Sequence, residues 1–515
     1  MLGTRDPQRS FFGAIAQLGP DVVATMGFYG QLGMNWWTVF KDEDFGGAYC
    51  IDNGRPSVPP TMLAIARLLQ HYDGISDAEV IERCCFDMRY KVALDLDAYS
   101  IKAPFTKSTF QAFRARLTLH AEEGMAFEQS VRLARKNGML PKKLRVALDS
   151  SPVRGKGAVK DTFTLLSDAI AAVIRSVAHE TRQKPGKVAD EIGLGRHVNS
   201  NQSIKGSEIV DWGSEEDVSR FLDGLLGDCE TAVKLAERAE CATNEVELLK
   251  KIIEQDIEQE EGTPKIRQGV APGRTPSVTD PEMRHGRKSS GKVFNGHKAH
   301  IAAEETSGII TAIDVSSPGE SDGSKVEALI QQSRDTTGRE IEEALGDCAY
   351  STAEAQKQAK DCGIDLKTKM PSPPQGRFGP GDFMVSDDSM TATCPAGHPS
   401  QKRYKYRDGF SHLWSSDLCS ACPLKGKCTK ASQRRLLVGP DFHSRRQREH
   451  WARSEKGRTE LRLRVVIEHC IGRIKNLGAG TARYFGKQKT KSQWLWTAAV
   501  VNLSLIWAKT AEQLS

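Results

Sequence analysis

The spacing of apolar positions changes several times along the chain, and each change marks a different kind of element. In GRPSVPPTMLAIARLLQHYDGISDAEVIERCC a Gly/Pro turn precedes an apolar-periodic segment from Thr61. A second helix follows, which Ser76 and Glu79 can open as a capping box. FTKSTFQAFRARL predicts a further helix with Thr106 and Ser108 as caps and Lys107, Arg114 and Arg116 on its surface. A short helix, a turn and a basic helix suit docking on DNA, and equally suit plain packing within a bundle. LRVAL, Leu144–Leu148, predicts a short buried strand that delivers Asp149 at its end, ahead of a Gly/Lys-rich loop. From Thr162 to Gly262 the period is helical again and predicts a helical hairpin or coiled arm; Thr263–Lys292, rich in Pro, Gly, Arg and Lys, reads as a basic connector.

From Val293 the pattern becomes that of strands. VFNGHKAHIAAEE, the Ser307–Gly308 turn and IITAIDVSSPG predict a hairpin, Ser324–Arg334 a helix, and EIEEALGDCAY a strand that ends at Gly346 and Asp347. His297 and His300 fall on opposite faces of their strand, and either a structural or a phosphate-contacting role suits both. In Leu461–Leu477 the apolar residues at 463, 466, 467, 470, 471, 474 and 477 repeat at helical spacing. At about 100° per residue Arg464, Glu468 and Lys475 lie within roughly 40° of one another at the margin of that stripe. The plain account of this ladder is an ordinary surface ion pair.

A chain of 515 residues has room for about three domains. No apolar run is long enough to span a bilayer, and the first residues show no secretory signal, so the cytoplasm is the expected location. The net charge of +6 is modest but unevenly placed: 19 Lys and Arg face 5 acids between Lys425 and Lys491. Such a local excess suits a polyanion, with double-stranded DNA as the expected partner.

Twelve cysteines without an export signal point to free thiols and metal ligands rather than disulfides. Cys394, Cys419, Cys422 and Cys428, spaced C-x24-C-x2-C-x5-C, supply the four soft ligands of a structural Zn2+ site. His398 or His412 could stand in for Cys394, and buried thiols without metal are the alternative. Two aspartates at strand ends and a glutamate on a later helix, Asp149, Asp347 and Glu468, suit a pair of divalent cations about 4 Å apart and in-line displacement at a phosphodiester. Taken singly, each aspartate is equally a turn former.

With these residues in place the chain resembles the DDE insertion-sequence transposases with a ribonuclease-H-like core, and more narrowly the insertion-sequence-four superfamily and its eleven-eighty-two branch. The likeness rests on GRPSVPPTMLAIARLL, FTKSTFQAFRARL, ALDSSPVRGKGAVKDTFTLL, SVTDPEMRHGRKSSGKVFNGHKAHI, GDCAYS, the cysteine cluster and RVVIEHCIGRIKNLGAGTARYFGKQKT. That superfamily carries its glutamate in Tyr-x2-Arg-x3-Glu-x6-Lys, which Arg464, Glu468 and Lys475 match; Leu461 stands where the tyrosine is expected, so strand handling that depends on a phenol does not carry over.

The resemblance implies a catalytic and metal-binding triad of Asp149, Asp347 and Glu468, with two Mg2+ (or Mn2+) ions. It implies phosphate contacts from Arg464 and Lys475, and a homodimer on DNA. Local charge adds Arg483, Lys487, Lys489 and Lys491 as further DNA contacts. The expected fold is α/β: a ribonuclease-H-like mixed sheet with flanking helices, residues 141–515. It follows a helical N-terminal DNA-binding or assembly domain, 1–140, and carries a helical insertion at about 160–290 and a cysteine-rich insertion at about 385–432. The expected function is cleavage at the ends of an insertion sequence and transfer of the 3′-hydroxyl ends to target DNA. The alternatives are an inactive or domesticated DNA-binding relative and a metal-dependent nuclease without strand transfer.

Overall fold

The computed structural model describes residues 1–514 apart from 7, 51–52, 200–202, 261, 290, 372 and 374–375. Its centre is a six-stranded mixed sheet of β1 (Lys143–Arg154), β2 (Arg284–Ser289), β3 (Lys292–Glu304), β4 (Ile310–Ser316), β5 (Glu340–Gly346) and β6 (Asp365–Thr368). The long strand β3 pairs antiparallel with β1 along one edge. Along the other it pairs antiparallel with β2 in its first half and with β4 in its second. β1 then pairs parallel with β5, and β5 parallel with β6. Parallel neighbours need crossovers, which the helices Val326–Thr337 and Ala353–Asp361 supply.

The strand predicted to stop at Asp149 runs on to Arg154. Ser150, Ser151 and Pro152 are poor strand formers, but β3 continues opposite them as far as Arg154↔Gly296, and this ladder overrides local propensity. The connector predicted over Thr263–Lys292 is likewise partly strand: Thr263–Ile266 pairs back on Ile257–Glu260, and β2 forms because β3 leaves an edge open for it.

One apolar core joins the sheet to the N-terminal helices, from Phe28 and Tyr29 to Leu140, and to the C-terminal helix Lys487–Leu514. The predicted helix near Thr61, Pro60–Asp73, is buried on nearly all sides rather than along one stripe. Its polar residues therefore find internal partners: Arg67 donates to Ser492 Oγ at 2.9 Å and stacks on Trp496, and His71 meets Thr497 Oγ1 at 3.1 Å. Ser76 and Thr106 cap the next helices, accepting from the Glu79 and Thr109 amides.

Three smaller cores lie apart from the first, of which the smallest gathers Ala14, Ile15, Val23, Val92 and Ala98 among the N-terminal helices. Helix Thr162–Glu180 packs Phe163, Leu166, Ile170, Val173, Ile174 and Val177 against Glu215–Arg238 and Thr243–Asp256, so the expected arm is a packed helical unit. In the cysteine-rich unit Trp414, Phe383, Leu436 and Val438 form the third core, under a sheet of Lys402–Tyr406, Gly409–Leu413 and Arg435–Val438. Among the described residues no helix is long and apolar enough to cross a membrane.

The C-terminal helix is locked to the sheet edge by Asn502, which is fully buried. Its Oδ1 accepts from the Ile310 amide at 2.8 Å, and its Nδ2 donates to the Ile310 carbonyl at 3.0 Å and to Ser130 Oγ at 3.1 Å. Asn502→Leu strands two backbone groups away from water, and we expect a loss of about 3 kcal/mol or more, read from the urea unfolding midpoint.

Candidate active site

The parallel pairing of β1 and β5 ends at Ala147↔Leu345, so Asp149 stands just past the point where β1 loses that neighbour, while still paired with β3. Asp347 follows directly on Gly346, the last residue of β5, and caps the turn Cys348–Tyr350 by accepting from the Ala349 amide at 2.9 Å. Both aspartates thus stand at the carboxyl end of the parallel β1–β5 pairing, Asp149 within its strand and Asp347 just past the end of its own, where open α/β sheets place their ligands.

Glu468 comes from the helix Val465–Ile474, whose inner face, Ile467, Cys470 and Ile474, is fully buried in the main core. Cys470 Sγ adds a contact to the Gly308 carbonyl at 3.2 Å. The helix predicted as one piece over Leu461–Leu477 is divided: Glu455–Arg462, a turn at Leu463 and Arg464, Val465–Ile474, and a wide turn Lys475–Ala479. Gly478 supplies the positive φ of 88° in that last turn. Leu463 is 42% exposed, so the buried stripe begins after the break.

Asp149, Asp347, Glu468 and Arg464 line one cleft of about 640 Å³. Arg464 spans two of the acids, with Nη1 at 3.0 Å from Asp149 Oδ2 and Nη2 at 3.1 Å from Glu468 Oε1. Burial pushes the Asp149 carboxyl up. Arg464 and the Ser150 amide oppose that shift, and the carboxylates of Asp347 and Glu468 add to it. Burial lowers the Lys475 ammonium, Lys288 pushes it further down, and Asp149 opposes both.

Several lining residues carried no signal in the sequence. Asp322, in the turn before helix Val326–Thr337, accepts from Ser150 Oγ at 2.9 Å and from Lys298 Nζ at 2.8 Å. Arg287, Lys288 and Phe294 come from the β2–β3 hairpin. Tyr350 lies outside the cleft lining; its hydroxyl is buried without a hydrogen-bond partner among the described residues, and burial followed by the carboxylates of Asp322, Asp149 and Asp347 pushes it up.

The other residues singled out from the sequence lie elsewhere. Arg483 donates to the Ile75 carbonyl, Lys487 lies 3.6 Å from Glu282, and Lys491 lies 3.0 Å from Asp314, leaving Lys489 exposed and without an ion pair among the described residues. His297 and His300 are fully buried, with His297 3.5 Å from Asp280 and His300 2.8 Å from Ser316 Oγ. Arg114 forms a two-pronged pair with Asp77. Cys394, Cys419, Cys422 and Cys428 line one small cavity with His398, and burial, with the other three thiols adding to it, pushes the Cys428 thiol up against the pull of Arg434. Among the described residues no three His, Cys, Asp or Glu side chains are arranged to hold a metal ion, at either cluster.

Removing Arg464 takes away the largest influence that keeps Asp149 ionised, while burial and two like charges remain. In Arg464→Gln the Asp149 carboxyl should therefore protonate at higher pH than in the wild type, measured by the pH titration of its carboxyl carbon in NMR; an unchanged midpoint would contradict the ion pair.

Residues 393–507 match a family model described as a transposase DDE domain, a stretch that contains Glu468 and the four clustered cysteines. Residues 34–116 match one described as a transposase domain (DUF772), which spans the helices Pro60–Asp73 and Asp77–Phe86. No curated protein matches the chain. Two separate stretches, one at each end of the chain, thus resemble transposase domains, and together they support a DDE transposase, an enzyme that acts on DNA.

Proposed function

We propose that this protein is a divalent-metal-dependent DNA transposase that acts in the cytoplasm, cutting at the ends of its own insertion sequence and joining the freed 3′-hydroxyls to target DNA. The observation that carries this reading is the meeting of Asp149, Asp347 and Glu468, from three distant stretches, at one cleft. The sheet order supports a ribonuclease-H-like core: three antiparallel strands, β4, β3 and β1, followed by two parallel ones, β5 and β6. The motif pattern around Glu468 supports the insertion-sequence-four superfamily and its eleven-eighty-two branch. Residues 1–140 are read as the DNA-binding or assembly region of a homodimer.

The donor set fits Mg2+ or Mn2+ in its chemistry, since three hard carboxylate groups repel one another and a cation relieves that repulsion. Asp149, Asp347 and Glu468 would hold the ions. When bound, the metals supply Lewis acidity to the attacking and leaving oxygens of an in-line displacement. Arg464, released from Asp149 and Glu468, is positioned to bind a phosphate, and Lys475 lies two turns from Glu468 on the same side. In the second unit the four thiols of Cys394, Cys419, Cys422 and Cys428 fit Zn2+ as a donor set, with a folding role.

The test is incubation of the purified protein with Mg2+ and DNA carrying the element's ends, beside Asp149→Asn, Asp347→Asn and Glu468→Gln. We expect cleavage and joined products from the wild type, and rates at least about 100-fold lower from each variant, since even outer-shell changes at metal sites cost 10–100-fold. Equal products from wild type and Glu468→Gln would rule out the site. For the thiol cluster, we expect about one zinc per chain by elemental analysis, lost together with thermal stability in Cys419→Ser/Cys422→Ser. A metal-free protein of equal stability would exclude zinc there.

A further inference from the structure

Of the basic residues read from the sequence, only Arg464 lines the cleft. The floor carries Asp149, Asp322, Asp347 and Glu468, a density of negative charge that repels a phosphodiester unless cations flank it. Of the basic side chains lining the cleft, Arg464 is committed to Asp149 and Glu468, and Lys298 to Asp322. Arg287 and Lys288 are exposed and form no ion pair among the described residues. Both project from the β2–β3 hairpin into the lining of the cleft, which the Glu468 helix also borders.

Three features make this hairpin more than a solvated charge run. Lys288 also lies close enough to Lys475 to disfavour its charged form, so the hairpin adds to a concentration of positive charge beside the cleft. Lys298 Nζ donates to the Glu320 carbonyl at 2.6 Å and to Asp322 Oδ1 at 2.8 Å, which fixes the ammonium and leaves its third N–H without a partner among the described residues. Phe294 packs against Gly286 on the neighbouring strand, where an added Cβ would come within 2.8 Å of the ring, so the hairpin is braced at the point where it borders the cleft.

We propose that Arg287, Lys288 and Lys298, on β2 and β3, form a second phosphodiester subsite that holds the DNA backbone beside the phosphate facing the carboxylates. The subsite rests on the transposase reading above and adds to it a further backbone contact. DNA entering the cleft then meets these cations beside the carboxylates, and their charge balances repulsion from the floor. Lys298 is the fixed contact; Arg287 and Lys288 are the adaptable ones.

The experiment measures binding of fluorescein-labelled duplex DNA by the full chain in EDTA, over a series of salt concentrations. The proteins are the wild type, Arg287→Glu/Lys288→Glu, Lys475→Glu, and a control pair on the helical insertion, Lys187→Glu/Lys234→Glu, with matched thermal unfolding as the check on folding. We expect the hairpin variant to bind about tenfold or more weakly and its salt slope to be shallower by about 2, while the control keeps the wild-type slope. The subsite is overturned if the hairpin variant keeps the wild-type affinity and slope while Lys475→Glu weakens binding. An equal loss in the control overturns it too, because the effect would then be one of net charge alone. A wild-type protein without affinity for DNA overturns the transposase reading and the subsite with it.

Discussion

Crowding three carboxylates around one partly desolvated cleft is electrostatically unfavourable. The fold sustains this because the backbone under each of the three acids is fixed. Asp149 lies in a strand flanked by the fully buried Val146, Ala147 and Leu148. Asp347 follows Leu345 and Gly346 directly and is held by its own turn. Glu468 rides on a helix whose opposite face sits in the same core as both strands. Moving any of them away would withdraw apolar surface from that core, so repulsion is relieved locally, by the Arg464 guanidinium between Asp149 and Glu468. A side chain that balances the acids in this way also has the chemistry to exchange them for a phosphate, since guanidinium pairs with either anion by the same two-pronged geometry.

The topology explains why the acids meet where they do. β1 is long enough to have two histories: it pairs with β5 over Lys143–Ala147 and with β3 over Val146–Arg154, so both neighbours are present at Val146 and Ala147, and beyond Ala147 the β5 side is open as far as the Arg154–Thr481 bridge. The change from two neighbours to one opens the space that Asp149 borders and that Asp347 enters from the end of β5. Behind the cleft a chain of ion pairs stiffens the same region. Arg145 on β1 meets Glu343 on β5 at 2.6 Å, and Lys367 on β6 lies 2.8 Å from Glu343 and 2.9 Å from Glu460. Glu460 belongs to the helix just before Arg464, so the element carrying the arginine is tied to the sheet that carries the aspartates.

Local pattern made much of this legible. The hairpin around Ser307 and Gly308 has two apolar, largely buried strands and a turn in which Gly308 takes a positive φ of 70°. The caps at Ser76 and Thr106 are local hydrogen bonds, and Glu468 could be placed on a helix from its apolar neighbours alone. What stayed hidden depends on partners far along the chain. Ser150–Arg154 is strand only because β3 lies beside it, and β2 because β3 has a free edge. The charge excess over Lys425–Lys491 shows the same limit. Arg483, Lys487 and Lys491 are engaged by Ile75, Glu282 and Asp314, and a count within one window cannot see groups outside it. Asp322 and Lys298 could not be found at all, since a polar residue in a turn and a lysine within a strand have no periodic signature.

The position of the cysteine-rich unit follows from the same clip. The chain leaves the sheet after Thr368, folds around a core of its own, and returns with the helices Phe442–Arg453 and Glu455–Arg462. Lys367 and Glu460 are 93 residues apart in sequence and 2.9 Å apart in space, and Lys367 also lies 5.5 Å from the centre of the Trp451 ring, so both ends of the excursion are held at its base. For a loop closed in this way the entropic cost grows only with the logarithm of its length. The excursion thus starts and ends at one clip, beside the helix that precedes Arg464. Inside it a small unit with its own buried tryptophan keeps a core separate from the main core that seats the Glu468 helix.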